Sequence, residues 1–110
     1  GATDGNLVGA IDSETGMVLA SWSVLPNFDV NYGDVDVCLA TGNLMFVSSN
    51  ETTIGEFTTD GTFVTKHALP AGVGALAGIA LDDASGQVWV VSNSGGVWRF
   101  DGGPCGPAAE

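Results

Sequence analysis

Laid on itself at an offset of 44 residues, the chain matches in three separate segments, and this period constrains the fold more than any other feature. Gly42-Asn-Leu-Met-Phe-Val-Ser48 aligns with Gly86-Gln-Val-Trp-Val-Val-Ser92, Leu25-Pro26 with Leu69-Pro70, and Asp34-Val-Asp-Val37 with Gly78-Ile-Ala-Leu81. With a one-residue gap, Ile54-Gly-Glu-Phe57 falls on Val97-Trp-Arg-Phe100, and Val8-Gly-Ala-Ile11 is a third copy of that element. A repeated unit of this size is one supersecondary element, which buries its apolar surface by packing on its neighbours rather than alone.

Within the complete central unit the pattern predicts four short strands separated by turn chemistry. The first runs from about Val35 to Leu39 and turns at Thr41-Gly42-Asn43; the second runs from Leu44 to Ser48. The third covers about Thr53 to Thr58 and closes at Asp60-Gly61, where glycine supplies the positive φ of a hairpin turn. The fourth, about Thr62 to Ala68, is ended by Leu69-Pro70, since proline cannot donate to a ladder. No segment carries an apolar period of 3.6 with helix caps, so essentially no helix is predicted.

Four antiparallel strands in about 44 residues, repeated, is the arithmetic of a β-propeller blade. The fold class expected is therefore all-β, with about two and a half such repeats and an incomplete propeller. The expected organisation is a partial blade of outer strands over 1–26, a complete blade over 27–70, a partial blade over 71–102 and a Gly/Pro tail over 103–110. The first unit lacks its two inner strands and the third has three, whereas closed propellers typically have about four to eight blades. Such a chain should complete its blades with other copies of itself, or be one part of a longer propeller. Both ends offer the third strand of a blade, so in a split between copies one of them would be displaced, left as an extra edge or used to pair outward. The chain starts at Gly1, which reads as a processed form, an expression product or a fragment.

Gly78-Ile-Ala-Leu-Asp-Asp-Ala-Ser-Gly-Gln-Val-Trp-Val-Val-Ser92, followed by Val97-Trp-Arg-Phe-Asp-Gly102, resembles the NHL and SMP-30-like repeats of six-bladed propellers. Ile11-Asp-Ser-Glu-Thr-Gly-Met17 is similar to the outer hairpin of the same repeat, and the central unit departs from it in having Thr58 where Asp12 and Asp101 stand. The resemblance spans nearly the whole chain. It implies a propeller scaffold, which hosts enzymes, binding modules and adhesins alike. It also implies that a central divalent metal with hydrolase activity is worth seeking, with Asp34 or Asp36 repeated around an axis by self-assembly.

Charge narrows the choice of partner. Thirteen acidic residues stand against two basic ones, Lys66 and Arg99, for a net charge of −11 and a pI near 4.1. Two cations cannot provide the footprint that neutralises phosphates, which excludes nucleic acid, and an anionic membrane surface is disfavoured on the same ground. No segment has the run of about 18 apolar residues that a membrane helix requires, so no membrane insertion is expected. Hydrophobic residues nevertheless make up 45% of the chain, enough for a core despite the acidity. Sparse lysine, abundant Thr, Ser, Gly and Asn, and two cysteines suit an extracellular or cell-surface protein.

Several residues are candidates for chemistry. Asp29, Asn31, Asp34 and Asp36, read as the loop entering the first central strand, alternate in a way that suits a hard cation such as Ca²⁺. The fit to a calcium-loop pattern is poor, because Gly33 and Asp34 fill its last two places, and solvated loop acids are the plain alternative. No other cofactor is expected. His67, the only histidine, is near a strand end with no designated nucleophile or acid beside it, and Asp82-Asp83 reads as a turn. Trp22, Trp89 and Trp98 suit either packing or a carbohydrate platform, with Trp89 in an apolar strand pattern and Trp98 alternating with Val97 and Arg99. Trp98, Val97 and Val8, on the outer strands of the unfinished units, are candidate contacts with another chain. Cys38 reads as a buried thiol or a disulfide partner, and Cys105 as a covalent staple or an intermolecular thiol. No catalytic set stands out, so the expectation is a non-enzymatic propeller module for binding or structural assembly, forming a ring or filament by strand sharing. The alternatives are a fragment or subunit of a metal-dependent propeller hydrolase or lyase, and a carbohydrate-binding propeller.

Overall fold

A computed structural model of the chain describes residues 6–82 and 84–100, and these are all β, with no helix among them. The first sheet pairs β1 (Leu7–Ile11) with β2 (Val18–Ser23). The central sheet runs β3 (Gly33–Val37), β4 (Leu44–Ser48), β5 (Thr53–Phe57) and β6 (Phe63–Ala68) in chain order. The third orders β7 (Leu76–Asp82), β8 (Gln87–Ser92) and β9 (Val97–Phe100), and every pairing in the three sheets is antiparallel. Among the described residues no helix is long and apolar enough to cross a membrane.

The strand bounds follow from local hydrogen bonding. β4 spans the predicted segment, while β5 and β6 stop at Phe57 and start at Phe63 because Thr58 and Thr62 close the hairpin between them. Thr58 N donates to Thr62 O at 2.9 Å, and Thr62 N donates to Thr58 Oγ1 at 3.1 Å. β3 starts two residues before the predicted Val35 and ends at Val37, because Cys38 N donates to Asn43 O at 2.8 Å and turns the chain. Asp34 and Asp36 consequently belong to a strand and not to an entry loop.

The 44-residue period persists down to single hydrogen bonds. Gly42 N donates to Cys38 O at 2.6 Å, and Gly86 N donates to Asp82 O at 2.8 Å, with φ of +79° and +77° at the two glycines. L side chains disfavour that region, which makes glycine the natural residue in both turns. The buried hydroxyls of Ser48 and Ser92 each accept an N–H two residues on, from Asn50 and Ser94, both at 3.2 Å. Where the copies differ in sequence, the same task passes to another donor and acceptor set. In the first hairpin the Asp12 carboxylate accepts Glu14 N at 2.8 Å and Thr15 N at 3.1 Å. In the central hairpin Asp60 accepts the Thr58 hydroxyl, the Thr62 hydroxyl and Thr62 N. The Glu14 N–H foremost holds the Asp12 carboxyl below its ordinary range, and the Thr58 hydroxyl does the same for Asp60. Depressed carboxyls stabilise the fold above their ordinary pKa, and that contribution is lost as pH falls through the lowered values.

Side chains alternate across the strands, so the central sheet carries two apolar faces, each covered by a different neighbour. Phe46, Phe57, Val24 and Phe28 form one cluster with Val8 and Trp22 of the first sheet. Met45, Val47, Ile54 and Cys38 form the other with Leu76, Ile79, Val88 and Val90 of the third sheet. Three sheets thus stack face to face in chain order.

Candidate functional site

The feature with the most developed geometry is the row of carboxylates where the central and third sheets meet. Asp34 Oδ1 accepts Val35 N at 2.8 Å while its Oδ2 accepts Ile79 N at 3.2 Å. Asp36 repeats the arrangement, accepting Val37 N at 2.8 Å and Leu81 N at 2.7 Å. Val35 and Ile79, like Val37 and Leu81, are equivalent positions of the repeat. Each aspartate therefore bridges the same edge amide of two successive sheets. An exposed strand edge presents unpaired N–H groups that invite wrong pairing, and charge-assisted hydrogen bonds of this kind satisfy them. Asp36→Ala should lower stability by about 1–3 kcal/mol. Amide exchange checks the cause: Leu81 N–H should exchange faster while the amides of the β3–β4 ladder keep their protection.

The two remaining members of the acidic pattern turn elsewhere. Asp29 Oδ2 accepts Asn50 Nδ2 at 3.1 Å, Asp29 O accepts the Ser48 hydroxyl at 2.7 Å, and Asn31 N donates to Ser48 Oγ at 3.0 Å. Asp29 and Asn31 thus brace the loop after β4, whereas Asp34 and Asp36 reach β7, and the four do not converge on one point. Among the described residues no group of three or more His, Cys, Asp or Glu side chains is placed to hold a metal ion.

A polar group that the sequence pattern did not single out is centred on Glu56. This buried carboxylate accepts Asn43 Nδ2 at 2.7 Å through Oε2, and its Oε1 lies 2.7 Å from His67 Nε2. β5 and β6 pair Glu56 with Thr65, which places His67 on the diagonal, within reach of a long side chain. The hairpin at Asp60-Gly61 was the signal from which that neighbour could have been found. His67 is thereby tied to structure, with no nucleophile attached to the pair among the hydrogen bonds described. Lys66 is committed as well, with Nζ 3.1 Å from Glu51 Oε1 and 5.7 Å from the Phe28 ring centroid.

The tryptophans divide by sheet. Trp22 donates its indole N–H to Thr59 O at 3.1 Å and lies against Gly61, fastening the first sheet to the central hairpin. Trp98 is half-buried against the core between the central and third sheets. Trp89 is exposed, with the Arg99 guanidinium 5.8 Å from its ring centroid. Val8, on β1, is half-buried against the cluster between the first and central sheets, and Val97 is exposed. Asp82 O and Oδ1 accept Gly86 N and Ala84 N, as a turn residue should, while Asp83 lies outside the described residues. Cys38 is fully buried and disulfide-bonded; Cys105 lies outside the described residues, as does Asp101.

No protein-family model and no curated protein sequence matches the chain. A solved structure does: a catalytically inactive variant of virginiamycin B lyase from Staphylococcus aureus, determined with quinupristin, superposes at a TM-score of 0.56 and 19% identity. The match covers 88% of this chain and 34% of that one, so the chain spans about a third of the neighbour's length. The likeness is to a β-propeller-type fold. At this identity it extends to the arrangement of sheets and not to the lyase's chemistry. The three stacked antiparallel sheets, of two, four and three strands, accord with successive propeller blades, and a closed propeller is not part of what is described.

Proposed function

We propose that this chain is a non-enzymatic β-propeller module for binding or structural assembly, whose blades are completed by other copies of itself or by the rest of a longer propeller. One observation carries the reading. Met45, Val47 and Ile54 of the central sheet are 0%, 0% and 2% exposed under the third sheet. Their repeat equivalents Trp89, Val91 and Val97 are 43%, 38% and 62% exposed on the far face of the third sheet. Residues of the type that packs sheet on sheet within the chain thus stand uncovered at its end. Native mass measurement over a range of concentrations tests the proposal. Assemblies of defined copy number are expected for a ring and unlimited growth for a filament, and a monodisperse monomer throughout would sink self-completion.

A second reading, a fragment or subunit of a metal-dependent propeller hydrolase or lyase, is favoured by the neighbour's being a lyase. Activity or assembly that is abolished by a chelator and restored by Ca²⁺ or another divalent ion would carry this reading over the first.

A further inference from the structure

Beside β1 lies an open groove of about 300 Å³, lined among others by Val8, Gly9, Val24, Asp34, Val35 and Phe46. β1 pairs with β2 on one side, and its other edge borders this groove. We infer that the occupant is the β7–β8 hairpin of a second copy of this chain, an inference that rests on the self-completing reading above.

The repeat names the strand. β1, β5 and β9 are equivalent, and β5 and β9 pair on their inner side with β4 and β8. A β4-type strand belongs beside β1, and both such strands are paired on both edges within the chain. The outer partner of β4 is the buried β5, whereas that of β8 is the four-residue, half-exposed β9, so β8 of another copy is the one that can exchange it for β1. The register follows from β8–β9, where Val91 opposes Val97 and Trp89 opposes Arg99. Transferred to β1, Val91 of the second copy opposes Val8, and Trp89 opposes Ala10. Val8 already packs on the Phe46 face of the central sheet, so the exposed Trp89 and Val91 would enter the groove on the same face.

The edge amides select the same partner independently. β7 of the second copy would lie beside β3 as β3 lies beside β7 within the chain. At the positions of Asp34 and Asp36 it carries Gly78 and Ala80, which have no carboxylate to offer. None is needed, because Val35 N and Val37 N are already capped by Asp34 Oδ1 and Asp36 Oδ1 of their own strand. When acid-bearing β3 and acid-free β7 alternate around an axis, one pair of aspartates satisfies the edge amides of two blades. β1 of one copy then takes the seat of β9 on β8 of the other, and β9, exposed at Val97 and Arg99 and half-buried at Trp98 and Phe100, is the strand that yields. Each copy contributes two complete blades. A closed ring of about four to eight blades therefore contains two, three or four copies.

Val8→Cys and Val91→Cys chains, prepared separately, mixed and oxidised beside the unmodified protein, test this placement. An intermolecular disulfide between the two variants is expected, about tenfold more than between Gly9→Cys and Val91→Cys, whose side chains fall on opposite faces. Ala10→Cys with Trp89→Cys, both at exposed positions, repeats the test should Val8→Cys fold poorly. Equal or absent linking in assemblies detected by native mass would overturn the placement and leave self-assembly standing. A monomer at every concentration would overturn both.

Discussion

Phe57→Ala is expected to remove about 3–5 kcal/mol of unfolding free energy, the range for deleting a fully buried aromatic and leaving a cavity. The side chain is 1% exposed, with ring centroids of Trp22, Phe46 and Phe63 at 5.6, 5.4 and 5.4 Å. Trp22 comes from β2 and the other two from the central sheet, so truncation empties the seam between the first and central sheets. Against a typical stability of about 5–15 kcal/mol this is a large fraction, and the urea midpoint should fall accordingly at unchanged slope. The repeat supplies two internal controls. Ile11 occupies the equivalent place on the first sheet but is 62% exposed, and Phe100 occupies it on the third and is half-buried. Ile11→Ala should cost well under about 1 kcal/mol, with Phe100→Ala between the two. Equal losses at the three positions would contradict the stacking order described.

Gly33→Ala should cost about 3 kcal/mol, at the upper end for overpacking, although the residue is at the surface. A β-carbon there would land on the Val47 carbonyl oxygen, with Val30 Cγ1 at 2.9 Å. The first obstacle is backbone, which no rotamer change relieves. Gly33 pairs with Ser48 at the start of β3, so relief requires the strand to lift from β4, carrying Asp34 and Asp36 away from Ile79 and Leu81. The expected signature is loss of amide protection in β3 and at Ile79 and Leu81 together. Gly42→Ala, at a position with open space but a φ of +79°, provides the contrast: about 1 kcal/mol through backbone strain, with that protection retained.

Much of the architecture was legible because its causes are local. The period, the apolar run Leu44–Ser48 and the turns at Gly42, Gly61 and Gly86 depend on residues close in sequence, and positive φ at these glycines is a preference of the residue itself. The site was much less legible. Alternating acids from Asp29 to Asp36 read as a loop, either solvated or poorly matched to a cation site, and the reach of Asp34 and Asp36 to amides 45 residues away depends on where β7 packs. Glu56 and His67 meet only once the register across the Asp60-Gly61 turn is set, with its irregularity between Glu56 and Phe57.

The same division separates the tryptophans. Alternation states which residues share a face, so Trp89 groups with Val91, and Trp98 with Phe100, from sequence alone. It does not state which face meets another sheet. Trp98 is turned toward the central sheet and half-buried, while Trp89 looks the other way and is exposed beside Arg99. Period, strand positions, turn chemistry and the acidic charge follow from near-neighbour preferences. Which apolar face is covered, and which edge amide a carboxylate caps, depend on contacts between sheets far apart in the chain, and these exist only once the sheets are stacked.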